Sequence, residues 1–241
     1  MRRTLRAAGS EGNAIMKKSK RYRQLEAAVD QDKAYDLEEA LGIIKEMKPA
    51  RFDETVEIHM KLGIDVRKPE QNVRGTISMP NGIGKSVKLI AFAQGDNAQA
   101  AKAAGADEVG DEELAKRIQD GWMDFDIVLA TPDMMRIVGR LGRILGPQGK
   151  MPSPKSGTVT DDIGTAVSEF KAGKIEYRAD SSGNLHAPVG KKSFEKLALK
   201  ENIEAFVGHI GAAKPPAAKG RFILKIVVAT TMGPGLKLAM E

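Results

Sequence analysis

The sequence predicts an α/β chain in which an α+β unit is split in two by an inserted parallel α/β unit. Three observations carry this. Positions 55–62 alternate strictly, with Val56, Ile58, Met60 and Leu62 on one side and Thr55, Glu57, His59 and Lys61 on the other. That period of two belongs to a sheet with one polar face. Between positions 83 and 173, strand-like and helix-like runs take turns, the pattern of a small parallel sheet. The run Phe222 to Ala229 is apolar on both faces apart from Lys225, so it reads as a mid-sheet strand buried on two sides. Its best neighbours are positions 55–62, on the far side of the middle block, and a hairpin near 175–189.

Taken in order, positions 1–15 carry Arg2, Arg3 and Arg6 but no apolar core, which excludes a secretory signal. An Arg-rich transit peptide fits the composition less well than an upstream in-frame extension, because Met16-Lys17-Lys18-Ser19-Lys20-Arg21 reads as a natural start. The extension is expected to be disordered. Asp36 and Glu39 form a capping pair for a helix carrying Leu37, Ala40, Leu41 and Ile44, and Pro49 forbids its continuation. After the alternating strand, positions 73–79 repeat the pattern with Arg74, Thr76 and Ser78 on the polar side. Pro80-Asn81-Gly82-Ile83-Gly84 is the first strong break.

Beyond it, strands at 87–93 and 126–130 flank helices at 97–104 and 111–119, with a short extended stretch at 107–109. Positions 134–160 hold Arg136, Arg140, Arg143, Lys150 and Lys155, no acidic residue, and many Gly and Pro. A loop of that length inside a compact domain is usually functional. A helix at 162–171 ends at Gly173, the second break. Strands around 175–178 and 185–189 flank Asp180-Ser181-Ser182-Gly183-Asn184, a hairpin signal. Ser193 is placed to cap a helix presenting Leu199, Ile203, Phe206, Val207 and Ile210 to the core. The domains expected are therefore 16–82 with 174–241, and 83–173 between them. Gly82, Gly84 and Gly173 stand at the crossings as a hinge.

Composition narrows the functions. The 241 residues include no cysteine, which removes disulfides and thiolate metal sites and suits a cytoplasmic protein. No apolar run is long enough to span a membrane. Three scattered histidines, His59, His186 and His209, make a His-based metal cluster improbable. The net charge of +6 is unevenly spread: positions 1–23 carry +7 and 174–241 carry +5, while the rest is acidic on balance. Such segregation is the footprint of a local polyanion-binding face, although a basic tail alone is often merely solvated.

No catalytic constellation emerges. Asn81-Gly82-Ile83-Gly84-Lys85-Ser86 lacks the leading glycine of a phosphate loop, since Met79 stands there, and it precedes a strand rather than following one. Gly146-Pro147-Gln148-Gly149-Lys150 is followed by Met151 instead of a hydroxyl residue. Ser181, Ser182 and His186 lack a nucleophile elbow. Aromatic residues make up only 5% of the chain, too few to stack several unpaired bases on a sheet. Phe52 is the one aromatic at an exposed strand entrance, unless it plugs the core. The reading that fits is contact with folded RNA through sugar, phosphate and backbone.

Five segments then stand together in order: Arg51-Phe52-Asp53-Glu54-Thr55-Val56-Glu57, Asp120-Gly121-Trp122-Met123-Asp124-Phe125-Asp126, Gly142-Arg143-Ile144-Leu145-Gly146-Pro147, Gly183-Asn184-Leu185-His186-Ala187-Pro188-Val189-Gly190-Lys191, and Thr230-Thr231-Met232-Gly233-Pro234. From about Met16 onward the chain closely resembles the bacterial ribosomal protein L1 family, found on the mobile side stalk of the large subunit. The resemblance implies a main RNA-binding domain made from the two terminal parts and an inserted Rossmann-like domain. It implies a structural, non-enzymatic, cytoplasmic protein with no cofactor, no membrane and no small-molecule substrate, monomeric off the ribosome. Its implied partners are the stalk of large-subunit ribosomal RNA, exit-site tRNA whose release it assists, and its own operon mRNA, whose translation it represses.

The resemblance also implies an RNA face formed by Arg51, Phe52 and Thr55, by His186 and Lys191, and by Thr231, Met232 and Gly233. Arg140, Arg143, Lys150 and Lys155 make a secondary basic loop. Two departures touch only fine geometry: a shorter loop at 138–141, and Gly235 where others carry a different small residue. At the last turn, Thr231 is expected to offer a hydroxyl, Met232 to pack on a ribose or base, and Gly233 to let the backbone approach. The alternative is a nucleotide-binding enzyme using the inserted unit, which would show nucleotide-dependent thermal stabilisation.

Overall fold

The computed structural model describes residues 18–30 and 32–239; the expectation of disorder at 1–15 falls outside them. In chain order the elements begin with α1 (Lys20–Ala27), α2 (Leu37–Glu46), β1 (Thr55–Leu62), β2 (Arg74–Ser78), β3 (Leu89–Phe92), α3 (Gly95–Ala103), β4 (Glu108–Gly110), α4 (Glu112–Gln119) and β5 (Ile127–Ala130). There follow α5 (Met135–Val138), α6 (Gly142–Leu145), α7 (Ile163–Ala172), β6 (Lys174–Arg178), β7 (Asn184–Lys191), α8 (Lys196–Ala212), β8 (Ile223–Thr230) and β9 (Leu236–Lys237).

β1 is the centre of an antiparallel sheet ordered β7-β1-β8-β9. Its apolar side is fully buried, with Val56, Ile58, Met60 and Leu62 at 1% exposure or less. Against that side lie α2, through Ala40, Leu41 and Ile44, and α8, through Leu199, Ile203, Phe206 and Ile210. Burying each such large side chain is worth about 1.5–3 kcal/mol, so two helices on one face hold the sheet. Asp36 caps α2 by accepting from the Glu38 amide, while Glu39 pairs with Lys33 instead of closing a capping box.

The second antiparallel pair, β2 with β6, adds Val73, Met79, Ile175 and Tyr177 to the same core. That core draws on positions 25–83 and 175–238. Positions 89–170 form a parallel sheet ordered β4-β3-β5, and here alternate residues of one strand feed two further cores. Ile90 and Phe92 join Val128 and Leu141 on one side, whereas Leu89 and Ala91 join Leu129 and Phe170 on the other.

Several expectations are corrected. β8 is not buried on both faces: Leu224 and Lys225 are exposed, and Val227 and Ala229 are half-buried. Its neighbours are β1 and the two-residue β9 rather than the hairpin. The turn at 180–184 forms, with Asp180 accepting from the Ser182 and Asn184 amides, but its strands part after one bridge at Ala179 and Leu185. β6 goes to β2 and β7 to β1. Tyr177 of β6 bonds His209 of α8, and Leu185, Ala187 and Val189 of β7 enter the same core beside β1.

Ser193 does not cap α8; its amide and hydroxyl both donate to Asp53. The stretch read as a long loop is helical through 132–145, where Met134, Ile137, Val138, Leu141 and Leu145 fall at helical spacing and are buried. Its glycines masked that period. α1, capped by Ser19, leaves no apolar period in the sequence, because Leu25 is its one buried side chain.

Candidate nucleic-acid interface

With α2 and α8 on one side of the antiparallel sheet, the other side carries the polar row of β1. The register places Lys191, Pro188, His186 and Asn184 of β7 beside Thr55, Glu57, His59 and Lys61. On the other flank Ala229, Val227 and Lys225 of β8 stand beside Glu57, His59 and Lys61, and Lys237 of β9 lies beside Val227. Four lysines thus share this face with one carboxylate from β1. Anions approach such a surface favourably, and half-exposed apolar atoms between the charges offer contact area.

One end of the face gathers most of the predicted residues. The Thr231 amide donates to the Thr55 carbonyl at 3.0 Å, and the Thr231 hydroxyl accepts from the Thr55 amide at 3.0 Å while facing that carbonyl at 3.3 Å. Lys191 Nζ reaches the Thr55 hydroxyl at 2.9 Å. Phe52 and Met232 flank this junction with 53% and 49% of their surfaces exposed. Phe52 therefore does not plug the core. Arg51, also exposed, lies in the same 50–53 loop. Gly233 is explained internally: an added Cβ would meet the Thr230 hydroxyl at 2.4 Å, so the turn itself demands glycine there.

Beneath the junction sits Glu54, 1% exposed. Its carboxylate accepts from Arg21 Nη2 and the Ala50 amide, both at 2.8 Å, and from the Met232 amide at 3.2 Å. Burial alone would raise its pKa; the Thr230 hydroxyl, the Ala50 and Met232 amides and the Arg21 charge together outweigh that and hold it low. Lys192 beside it is pushed down by burial, with Arg21 and Lys45 adding repulsion and Glu54 opposing.

Further along the face His59 and His186 meet edge to face, Nδ1 to Nδ1 at 2.8 Å, so one proton serves both nitrogens. Burial first, then His186, lowers the His59 pKa, with Glu57 acting the other way. Asp180, 3.7 Å from the outer nitrogen of His186, is held at about 2 chiefly by the Asn184 amide. These rings, with Lys61, Asn184, Lys225 and Val227, line a shallow cavity of about 140 Å³.

The remaining predicted residues lie elsewhere. Arg140 and Arg143 are exposed on the helical run, and Lys155 is exposed in a turn at Pro154–Ser156. Lys150 is drawn inward, donating to the Phe125 carbonyl at 2.5 Å and lying 4.7 Å over the Phe125 ring. At the crossings, Gly82, Gly84 and Gly173 have φ of 64°, 65° and 113°. A Cβ on Gly173 would come 2.8 Å from Gly82 Cα. Asn202, fully buried on α8, binds the Asn81 amide and the Gly82 carbonyl and so pins this junction.

Glu54 and Asn202 could not be singled out from sequence, since only the fold shows that they are buried. His59, Lys61 and Lys225 carried a usable signal, as charges or rings on the polar side of strands. Among the described residues no group of three or more His, Cys, Asp or Glu is placed to hold a metal, and no helix is long and apolar enough to cross a membrane.

Residues 44–234 match the family described as ribosomal protein L1p/L10e. The chain is 57% identical over 222 residues to the large ribosomal subunit protein uL1 of Kosmotoga olearia, covering 92% of this chain and 96% of the relative. It is 58% identical to uL1 of Fervidobacterium nodosum, covering 93% and 96%. It is 53% identical to uL1 of Thermus thermophilus, covering 92% and 97%.

Proposed function

The chain belongs to the ribosomal protein L1p/L10e family and is a structural protein of the large ribosomal subunit, and we propose that its open sheet face binds the stalk region of large-subunit ribosomal RNA. The observation that carries this reading is the junction of Thr55, Lys191 and Thr231 beside the exposed side chains of Phe52 and Met232. Lysines supply phosphate contacts, and two large apolar side chains beside them offer platforms for a ribose or base. Thr231 is tied to Thr55, so its part is to set the strand end as well as to offer a hydroxyl.

In this proposal positions 16–82 and 174–241 act as one RNA-binding domain. Positions 83–173 are an appended domain whose Arg140, Arg143 and Lys155 add a weaker, salt-sensitive contact, Lys150 being engaged internally. Gly82, Gly84 and Gly173 serve as the hinge between them. The same face takes a stalk-like structure in the protein's own mRNA, which gives repression. On the ribosome its movement assists release of exit-site tRNA. Chemical footprinting on purified large-subunit RNA tests the core of this. Protection confined to one stalk region is expected, and protection scattered over the RNA would overturn it. Stalk RNA should also displace the protein's own mRNA leader, since both need one face; simultaneous binding would exclude a shared site.

A further inference from the structure

Resting on the RNA reading above, we infer that Glu54 is a positioning residue of the interface and that Arg21 couples helix α1 to it. A buried carboxylate under an anion-binding face is opposed by simple electrostatics, because it repels phosphate. Its bonds supply a different reason for its presence. One oxygen accepts from Arg21 of α1 and from the Ala50 amide, at the start of the loop that carries Arg51 and Phe52. The other accepts from the amide of Met232 itself. The Thr230 hydroxyl also donates to this carboxylate. Three segments far apart in sequence are thereby fixed around a single side chain, and the two most exposed apolar contacts of the face move with them.

Bonds to backbone carbonyls close the arrangement. The Glu54 carbonyl accepts from the Lys192 amide at 2.8 Å, and Lys192 Nζ donates to the Met47 carbonyl at 2.5 Å. Arg21 also reaches the Lys48 carbonyl at 3.3 Å, so α1 grips both ends of the segment that precedes β1. Charge-assisted bonds of this kind are stronger than neutral ones and specify direction. Glu54 thus holds Phe52 and Met232 at a fixed spacing before RNA arrives, and α1 locks that spacing.

Glu54→Gln in the full chain is the direct test, because it keeps shape while turning one acceptor into a donor. Binding to purified large-subunit ribosomal RNA is expected to weaken roughly tenfold or more, with unchanged salt dependence because no phosphate contact is lost. The Met232 amide should exchange faster with solvent while the Ile58 and Val228 amides do not. Equal or tighter binding would overturn the inference, since that is what removing a negative charge near phosphates gives on its own. Should Glu54→Gln not fold, Arg21→Met keeps the bonds to Ala50, Thr230 and Met232 and removes only the link to α1. It is expected to weaken binding roughly threefold, and unchanged binding would overturn the coupling. A wild-type chain that does not prefer this RNA to random RNA of equal length would instead remove the RNA reading beneath the inference, and is seen before any variant is made.

Discussion

The antiparallel sheet and the parallel sheet differ in how many of their faces are covered. In β3 every residue is buried, because alternate side chains enter cores on opposite sides of the sheet. In β1 every second residue is buried and the others reach solvent. A sheet packed on both faces leaves only its loops and strand ends for binding, whereas a sheet packed on one face offers a rigid surface whose chemistry can vary without loss of the core. Function is therefore expected to follow the open face, and stability to depend heavily on the closed one.

The largest effect should come from separating the two regions. Phe92 is fully buried in the parallel sheet, so Phe92→Ala should cost about 3–5 kcal/mol of that region's stability. RNA affinity of the folded fraction should be unchanged. Chemical denaturation and RNA binding on the same sample check this, and a matching fall in affinity would break the division of labour.

A smaller effect is expected at the end of the open face. Thr231→Ala removes a hydroxyl that accepts from one Thr55 backbone group and faces the other. It should cost roughly 0.5–1.5 kcal/mol, appearing in both the melting temperature and the RNA affinity if the residue both sets the strand end and serves the proposed interface. Loss of one without the other would assign it to a single role.

These positions also show what was legible in advance. The alternation of β1 fixed which side chains face solvent, and the helical spacing in α2 and α8 identified what covers the other side. The apolar run of β8 misled, because Val227 and Ala229 are half-exposed on the open face while looking in sequence like a second buried row. Apolar residues on a solvent face are what a contact surface needs, so the sequence pattern that suggests burial also suits the proposed interface. The helical run at 132–145 was missed because Gly139 and Gly142 interrupt its composition without interrupting its buried period. Glu54 was visible only as part of a motif, since no pattern in sequence tells that its carboxylate turns inward to gather donors from three segments.

The smallest predicted effect concerns the histidine pair. Burial and His186 keep the His59 pKa below its ordinary value near 6.5. The folded state then binds fewer protons than the unfolded chain. Its contribution to stability is fully present above that ordinary value and is lost as pH falls through the lowered one. Urea denaturation between about pH 7.5 and pH 5 should show this slope as a small fall in stability on the acid side. His59→Gln should flatten it; an unchanged slope would place the titrating group elsewhere.

Removing the parallel region shows whether the open antiparallel face carries RNA binding. Ser78 of β2 pairs with Lys174 of β6, and Gly82 lies against Gly173, so the chain can be rejoined from Gly82 to Lys174 across a short linker. The shortened protein, shown to be folded by its circular dichroism and cooperative melting, is titrated with purified large-subunit ribosomal RNA beside the full chain. Affinities within roughly tenfold of each other are expected, with a slightly flatter salt dependence from the lost basic run. A folded shortened protein that no longer distinguishes this RNA from random RNA would contradict it.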